Sequence, residues 1–428
     1  MDSNIMAMFN PWWTSGTVKT DLLEAYRRPL FNEIKDYLED RQIILLYGLR
    51  RVGKTTLLYQ IVDHLLGVGI EANRIMYFSF DETSGDIRDV LKSYEAKVLR
   101  KPIEELERVY IFFDEIQKVE DWDNKLKMIY DQYPNLKFFI CGSASLNLRK
   151  RGGENLAGRT YMFHLEPLSF SEYLDLKDVE IKFENWEFHA EKIMPYFWDY
   201  IRKGGFPELM NVESEKKVRE YLRHSVIDRI THNDIPSEFG LHDTELLTIL
   251  VEWICRDPGM IINVDSLAKQ LGRNRLTIGN YLSYLQYALL IRFVKNLRPN
   301  FLSSSRKMKK AYPSSTGFPY AFFNDVDEGK ILENFISQAL GADHYYRNKG
   351  DEIDFIITRG KDHIPIEVKS GHRELGKFIR NLKKLNLTFG IIASMNQYDE
   401  ISQDGILIRV IPAWALALFK DELVKGPE

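Results

Sequence analysis

Gly48-Leu49-Arg50-Arg51-Val52-Gly53-Lys54-Thr55 constrains this chain more than any other stretch, because it has the order G-x-x-x-x-G-K-[ST] of a phosphate-binding loop. Its flanks suit that role. Ile43-Ile44-Leu45-Leu46-Tyr47 is an apolar, β-branched run that reads as a buried strand. Thr56–Val62 follows with apolar residues at helical spacing. Glycines let the backbone wrap around phosphates at φ values other residues resist. Loop N–H groups and the helix N-terminus then face the anion. Lys54 is expected to bridge the β- and γ-phosphates of ATP, and the Thr55 hydroxyl to hold Mg²⁺. Gly48, Leu49, Arg50, Arg51, Val52, Gly53, Lys54, Thr55 and Thr56 are the expected nucleotide-binding set. Arg50 and Arg51 suit a phosphate or a neighbouring domain equally. The plainer alternative is a glycine turn ahead of an ordinary helix.

At 428 residues the chain has room for two to four domains. A composition 44% hydrophobic and 28% charged permits real cores. The net charge of −4 gives no global case for nucleic acid, so any basic surface must be local. Cys141 and Cys255 lie far apart and form no metal or disulfide pattern. Cys141 reads as a buried small hydrophobe. A reducing cytoplasm, no secretory leader and no membrane span are expected.

Residues 1–40 read as a lead-in with an amphipathic helix over Leu22–Leu38. From 41 to 175, strands at Ile43–Tyr47, Arg74–Ser79, Val109–Phe113 and Lys137–Cys141 alternate with helices. That pattern predicts an α/β fold with a parallel sheet covered on both faces. Residues 176–240 read as a helical connector, 241–322 as a helical module with a basic loop or wing, and 323–428 as mixed α/β.

Val109-Tyr110-Ile111-Phe112-Phe113-Asp114-Glu115 is an apolar run ending in two carboxylates, about 60 residues beyond the loop. It looks like a Walker B strand. Asp114 would anchor Mg²⁺ through water or Thr55. Glu115 would polarise the attacking water as a general base. The alternative is a strand ending in solvated acids. At the tip of the next strand, Ser143, or Ser145 after it, is the candidate γ-phosphate sensor, unless it only caps a helix. Arg159 reads either as an arginine finger acting across a subunit boundary of a homo-oligomer or as a structural ion pair.

Five segments together resemble one family: Gly48–Thr55, Phe113-Asp114-Glu115-Ile116-Gln117, Gly142-Ser143-Ala144-Ser145, Leu156-Ala157-Gly158-Arg159 and Pro167-Leu168-Ser169-Phe170-Ser171-Glu172-Tyr173. It is the archaeal and bacterial AAA-type ATPases that carry a C-terminal restriction-endonuclease-like domain. The resemblance spans nearly the whole chain. Leu49-Arg50-Arg51-Val52 stands where many relatives have proline, arginine and glutamine, and is similar to the archaeal branch.

Val264–Gly272 reads as a short helix ending at a glycine, and Leu276–Leu290 as a second helix. Helix, tight turn, helix is helix-turn-helix spacing. Arg273, Asn274, Arg275 and Thr277 would face the major groove of DNA. Arg292, Lys295, Arg298, Arg306, Lys307, Lys309 and Lys310 form a basic run with no acid between them, as phosphate binding needs. The alternative is a helical scaffold with a solvated loop.

Asp354, Glu367 and Lys369 stand in D-x₁₂-E-x-K order on an apparent β-hairpin. Glu367 and Lys369 share one strand face because the side-chain period is two. Glu333, on a preceding helix, would complete a site for a second Mg²⁺ or Mn²⁺. This order is similar to the PD-(D/E)xK nuclease core. Gly371 stands where active nucleases often carry Gln or Glu. A salt-bridged hairpin is the alternative. The reading is therefore an Mg²⁺-dependent ATPase acting on or with DNA through a winged-helix and nuclease-like half. The alternative is an ATP-driven switch or protein-remodelling ATPase whose nuclease-like domain is inert.

Overall fold

A computed structural model describes residues 3–81, 85–142, 155–297, 304–360, 362–369 and 375–426. The chain divides into two compact units, Met1–Glu166 and Pro167–Glu428.

The first unit is built on five strands: β1 (Ile43–Tyr47), β2 (Ile75–Ser79), β3 (Val109–Asp114), β4 (Leu136–Gly142) and β5 (Thr160–His164). They lie in the order β2-β3-β4-β1-β5, all parallel. The four expected strands are present within a residue or two of their expected ends. Each is buried along nearly its whole length, which explains their continuous apolar runs. β5 is an edge strand with only Phe163 fully buried, so its sequence carries no such run.

The lead-in works as a cover for the other edge. Asn10 donates to the Tyr77 carbonyl at 2.8 Å and accepts from the Tyr77 N–H at 2.6 Å. The indole N–H groups of Trp12 and Trp13 donate to the Ile75 carbonyl at 3.0 and 2.9 Å. Polar groups of edge strand β2 that another chain could pair with are thereby occupied. The expected helix over Leu22–Leu38 is not formed. A 3₁₀ turn spans Thr20–Leu22 and a helix spans Pro29–Lys35. Pro29 is the cause: it forces Arg28 into extended backbone (φ −63°, ψ 149°) and starts the helix itself.

Lys137 fastens β4 to the segment that enters β1. It is fully buried, and its ammonium donates to the carbonyls of Tyr37, Asp40 and Gln42 at 2.7, 2.8 and 2.7 Å. Three donors meet three acceptors, so nothing is left unpaired.

The second unit carries a mixed nine-stranded sheet: β6 (Met260–Ile262), β7 (Ile291–Leu297), β8 (Ser304–Pro313), β9 (His344–Asn348), β10 (Asp351–Arg359), β11 (Asp362–Lys369), β12 (Phe389–Ser394), β13 (Asp399–Gln403) and β14 (Ile406–Pro412). Their order is β13-β14-β12-β11-β10-β9-β7-β8-β6. β7 and β9 pair in parallel, so strands from 241–322 and from 323–428 share one sheet. Much of the segment expected as a basic loop is strand β8. Helices Phe170–Leu176, Ala190–Lys203, Glu328–Ala339 and Ala413–Leu418 contribute Phe170, Phe197, Phe335 and Trp414 to the core of this unit. Ser169 and Glu172 form a capping box that starts the first of these helices.

Lys137→Met keeps the apolar stem and removes the ammonium from the carbonyls of Tyr37, Asp40 and Gln42, of which the first two keep a second donor, the Asp40 N–H and the Arg108 guanidinium. One buried group left short of a partner costs about 1–3 kcal/mol, so the first unit should lose about that much. Urea unfolding of the variant measures this as a lowered midpoint.

Candidate active site

In the first unit, β1 runs directly into the glycine loop, and the helix Lys54–Gly67 leaves it. Gly48 cannot be replaced: a Cβ there would stand 2.2 Å from the Leu165 carbonyl oxygen. Arg51 (φ 66°) and Gly53 (φ 98°) take left-handed backbone, which turns the loop back on itself. Lys54 is buried, and its ammonium lies across the loop, donating to the carbonyls of Gly48 and Leu49 at 3.1 and 2.7 Å.

β1 and β3 are separated only by β4, so the loop and the end of β3 share the C-terminal edge of the sheet, where ligands of open α/β sheets bind. Thr55 Oγ1 donates to Asp114 Oδ2 at 2.7 Å. A hydroxyl and a carboxylate side by side are hard oxygen ligands suited to Mg²⁺, which takes few protein ligands and keeps phosphate and water oxygens. Among the described residues there is no group of three His, Cys, Asp or Glu arranged to hold a metal.

Two residues that sequence reasoning missed complete the setting. Tyr77 Oη donates to Asp114 Oδ2 at 2.8 Å, and Cys141 Sγ donates to Asp114 Oδ1 at 2.7 Å. The Glu115 N–H adds a bond to Oδ1 at 2.9 Å. Burial first, and then the Asp114 charge, push both the Tyr77 phenol and the Cys141 thiol well up, so both stay protonated donors. Cys141 is thus more than a small hydrophobe. No sequence signal marks them: Tyr77 in the middle of β2 and Cys141 near the end of β4 are brought to Asp114 by the strand order, which puts β2 and β4 on either side of β3. Glu115 follows in left-handed backbone (φ 51°, ψ 39°), a strained state for a non-glycine residue, and the Gln117 amide bonds to its carboxylate.

Ser143 and Ser145 lie outside the described residues. Arg159 is placed away from the loop. Its carbonyl accepts from the N–H of Ile43, at the start of β1, while the phosphate loop follows the other end, roughly 16 Å along the strand. Its guanidinium holds Asp131 at 3.0 and 3.1 Å, the ion-pair alternative.

In the second unit, Glu333 (helix Glu328–Ala339), Asp354 (β10), Glu367 and Lys369 (β11) do come together. Asp354 Oδ2 accepts from the Val368 N–H at 2.9 Å, and Glu367 Oε2 from the Asp354 N–H at 3.3 Å. Lys369 Nζ lies 2.9 Å from Glu367 Oε1. Burial, then the Asp354 charge, push the Glu333 carboxyl up and that of Glu367 up to about 8.

A residue expected elsewhere sits among them. Lys310 Nζ lies 3.0 Å from Glu333, 2.9 Å from Glu352 and 3.3 Å from Asp354. It is 4% exposed and cannot touch a nucleic-acid phosphate, which corrects its place in the basic run. Strand alternation is the reason: β8 turns Lys310 and Tyr312 inward, and Lys309 the other way. The expectation of a second Mg²⁺ or Mn²⁺ meets the same ammonium, which already neutralises the carboxylates.

Of the other candidate nucleic-acid residues, Arg273 pairs with Asp243 at 2.9 Å and Arg275 with Asp265 at 3.4 Å. Lys309 lies over the Phe293 ring. Arg298 and the side chains of Arg306 and Lys307 fall outside the described residues.

Three family models match in sequence. An AAA domain covers residues 40–174, a domain of unknown function (DUF8612) covers 194–329, and another (DUF4143) covers 328–416. An uncharacterized protein of Methanocaldococcus jannaschii is 26% identical over 90% of this chain and 90% of its own. One from Haemophilus influenzae is 25% identical over 87% of this chain and 94% of its own. Among solved structures, the Walker-type ATPase of Pyrococcus abyssi matches 69% of this chain and 95% of its own, at 17% identity and a TM-score of 0.38. No helix among the described residues is long and apolar enough to cross a membrane. The chain carries an AAA-type P-loop ATPase domain followed by two domains of unknown function.

Proposed function

We propose that this protein is an Mg²⁺-dependent ATPase that uses its nucleotide state to switch its C-terminal half. The observation that carries the reading is the 2.7 Å contact between Thr55 and Asp114 beside a loop already curled around Lys54. Bound Mg²⁺ would neutralise charge on the phosphate oxygens. Lys54 would exchange the Gly48 and Leu49 carbonyls for β- and γ-phosphate oxygens. Glu115 would accept the proton of the water attacking the γ-phosphorus. Tyr77 and Cys141 would aim the Asp114 carboxylate at the metal by holding it from the side.

Helices Val264–Leu271 and Arg275–Tyr287 with strands β7 and β8 have the outline of a winged helix. A groove of about 700 Å³ beside the second helix is lined by Asn263, Arg275, Gln286, Lys309 and Arg347 among others. These donors support contact with DNA, and the ion pair at Arg275 would open on binding. Because Lys310 sits in the carboxylate cluster, we favour a nuclease-like domain that does not cut.

Glu115→Gln should keep ATP bound while slowing turnover about 10²- to 10⁴-fold, since an amide accepts no proton from water. Unchanged phosphate release would move the base elsewhere. Tyr77→Phe removes one donor to a charged acceptor, worth about 1.5–3 kcal/mol. It should raise the Mg²⁺ concentration needed for half-maximal turnover roughly tenfold and leave metal-free ATP affinity unchanged. Replacing Arg275 and Lys309 by Ala should weaken DNA binding for all sequences and lower the salt slope by roughly 0.9 per lost phosphate contact. No DNA affinity in the parent protein would favour the protein-remodelling alternative.

A further inference from the structure

The carboxylate cluster of the second unit has three parts that a metal site does not need. Lys310 comes from β8, three strands away from β10 in the sheet, and its ammonium lies 5.2 Å from the Tyr345 ring on intervening β9. There it meets three carboxylates, one from the helix Glu328–Ala339 and two, Glu352 and Asp354, from alternate positions of β10. Tyr312, two residues on along β8, donates to Glu333 Oε1 at 2.5 Å. Gly259 closes another side: a Cβ there would stand 2.9 Å from the same oxygen.

An ammonium has three donors, and each finds a carboxylate oxygen at 2.9 to 3.3 Å. Mg²⁺ would need oxygens at about 2.1 Å around one centre, and it would lie beside a buried positive charge. The two cations exclude each other. Burial alone would push Lys310 down, but Glu333, Asp354 and Glu352 outweigh it and push it up, so it stays charged. The residues present therefore do not fit a divalent metal as they stand.

We infer that Lys310 is the resident cation of this cluster, standing in the place of a divalent metal. The carboxylates serve to clamp strand β8 onto the helix Glu328–Ala339 and strand β10. Cutting a phosphodiester is not their task. The three carboxylates that Lys310 holds, Glu333, Glu352 and Asp354, are not arranged around a metal while it is present, and removing it leaves them free to take one. This inference is independent of ATP hydrolysis and is tested without nucleotide.

The test compares thermal melts of the full-length protein and Lys310→Ala with and without 1 mM Mn²⁺, alongside Mn²⁺ binding read by electron paramagnetic resonance. The parent protein should melt at the same temperature with and without Mn²⁺ and should not cleave plasmid DNA. Lys310→Ala should melt lower without metal and rise by about 5 °C or more with it, as expected for a ligand well above its Kd. Adding Asp354→Asn should cancel that rise. If Lys310→Ala fails to fold, Lys310→Met keeps the stem, removes the charge, and should respond to Mn²⁺ in the same way. A nucleotide-independent Mn²⁺ gain in the parent protein that Asp354→Asn abolishes would overturn the inference. So would Asp354-dependent plasmid cleavage by the parent, or no Mn²⁺ response in either Lys310 variant.

Discussion

One buried carboxylate organises the first unit. Asp114 ends β3 and takes hydrogen bonds from Thr55 after β1, Tyr77 on β2 and Cys141 on β4. Three neighbouring chain segments thus converge on one acceptor, and a charge with this many donors tolerates burial. The arrangement fixes where the phosphate loop stands relative to the end of β3. It also leaves Glu115, the next residue, to absorb the change of direction in left-handed backbone. Strain at a residue beside the reacting centre is common where surrounding structure over-determines the backbone.

The second unit depends on the opposite charge. Lys310 gathers Glu333, Glu352 and Asp354, which would otherwise repel one another in a poorly solvated place. A lysine is well suited to this because its long stem crosses apolar surface before presenting three donors. Its location on β8 joins the segment that carries the helix pair 264–287 to the hairpin β10–β11. A change in the hold on Lys310 would therefore be felt by both parts of the sheet. Buried ion clusters of this kind are costly to break by removing one member, which gives the clamp its stiffness.

Much of the ATPase half was legible from residues alone. Strands β1 to β4 showed as apolar runs because both faces of a parallel sheet are buried. Gly48, Gly53, Lys54 and Thr55 were legible because a phosphate loop is a local object: its residues are neighbours in sequence. The break at Pro29 is equally local, since proline restricts the residue before it. In the second unit, the helix Val264–Leu271 and the pairing of β10 with β11 were read from a glycine stop and from turn spacing.

What sequence could determine by itself was the set of short-range chemistry: the loop, the strand ending in Asp114, and the D-x₁₂-E-x-K order. Tertiary structure alone decided the partners. Tyr77, Cys141 and Asp114 lie on three different strands, and no spacing reveals that β2 and β4 flank β3. Lys309 and Lys310 are adjacent identical residues, yet one lies over Phe293 and the other is buried among carboxylates. Period-two alternation guarantees that they face opposite ways, but only the packed sheet decides which face is the core. Arg159 pairs with Asp131, and the parallel register of β5 on β1 puts it at the end of the sheet away from its own phosphate loop, where a finger could act only on a neighbouring subunit. Charges act through space, so their meaning waits on the fold that sets their distances.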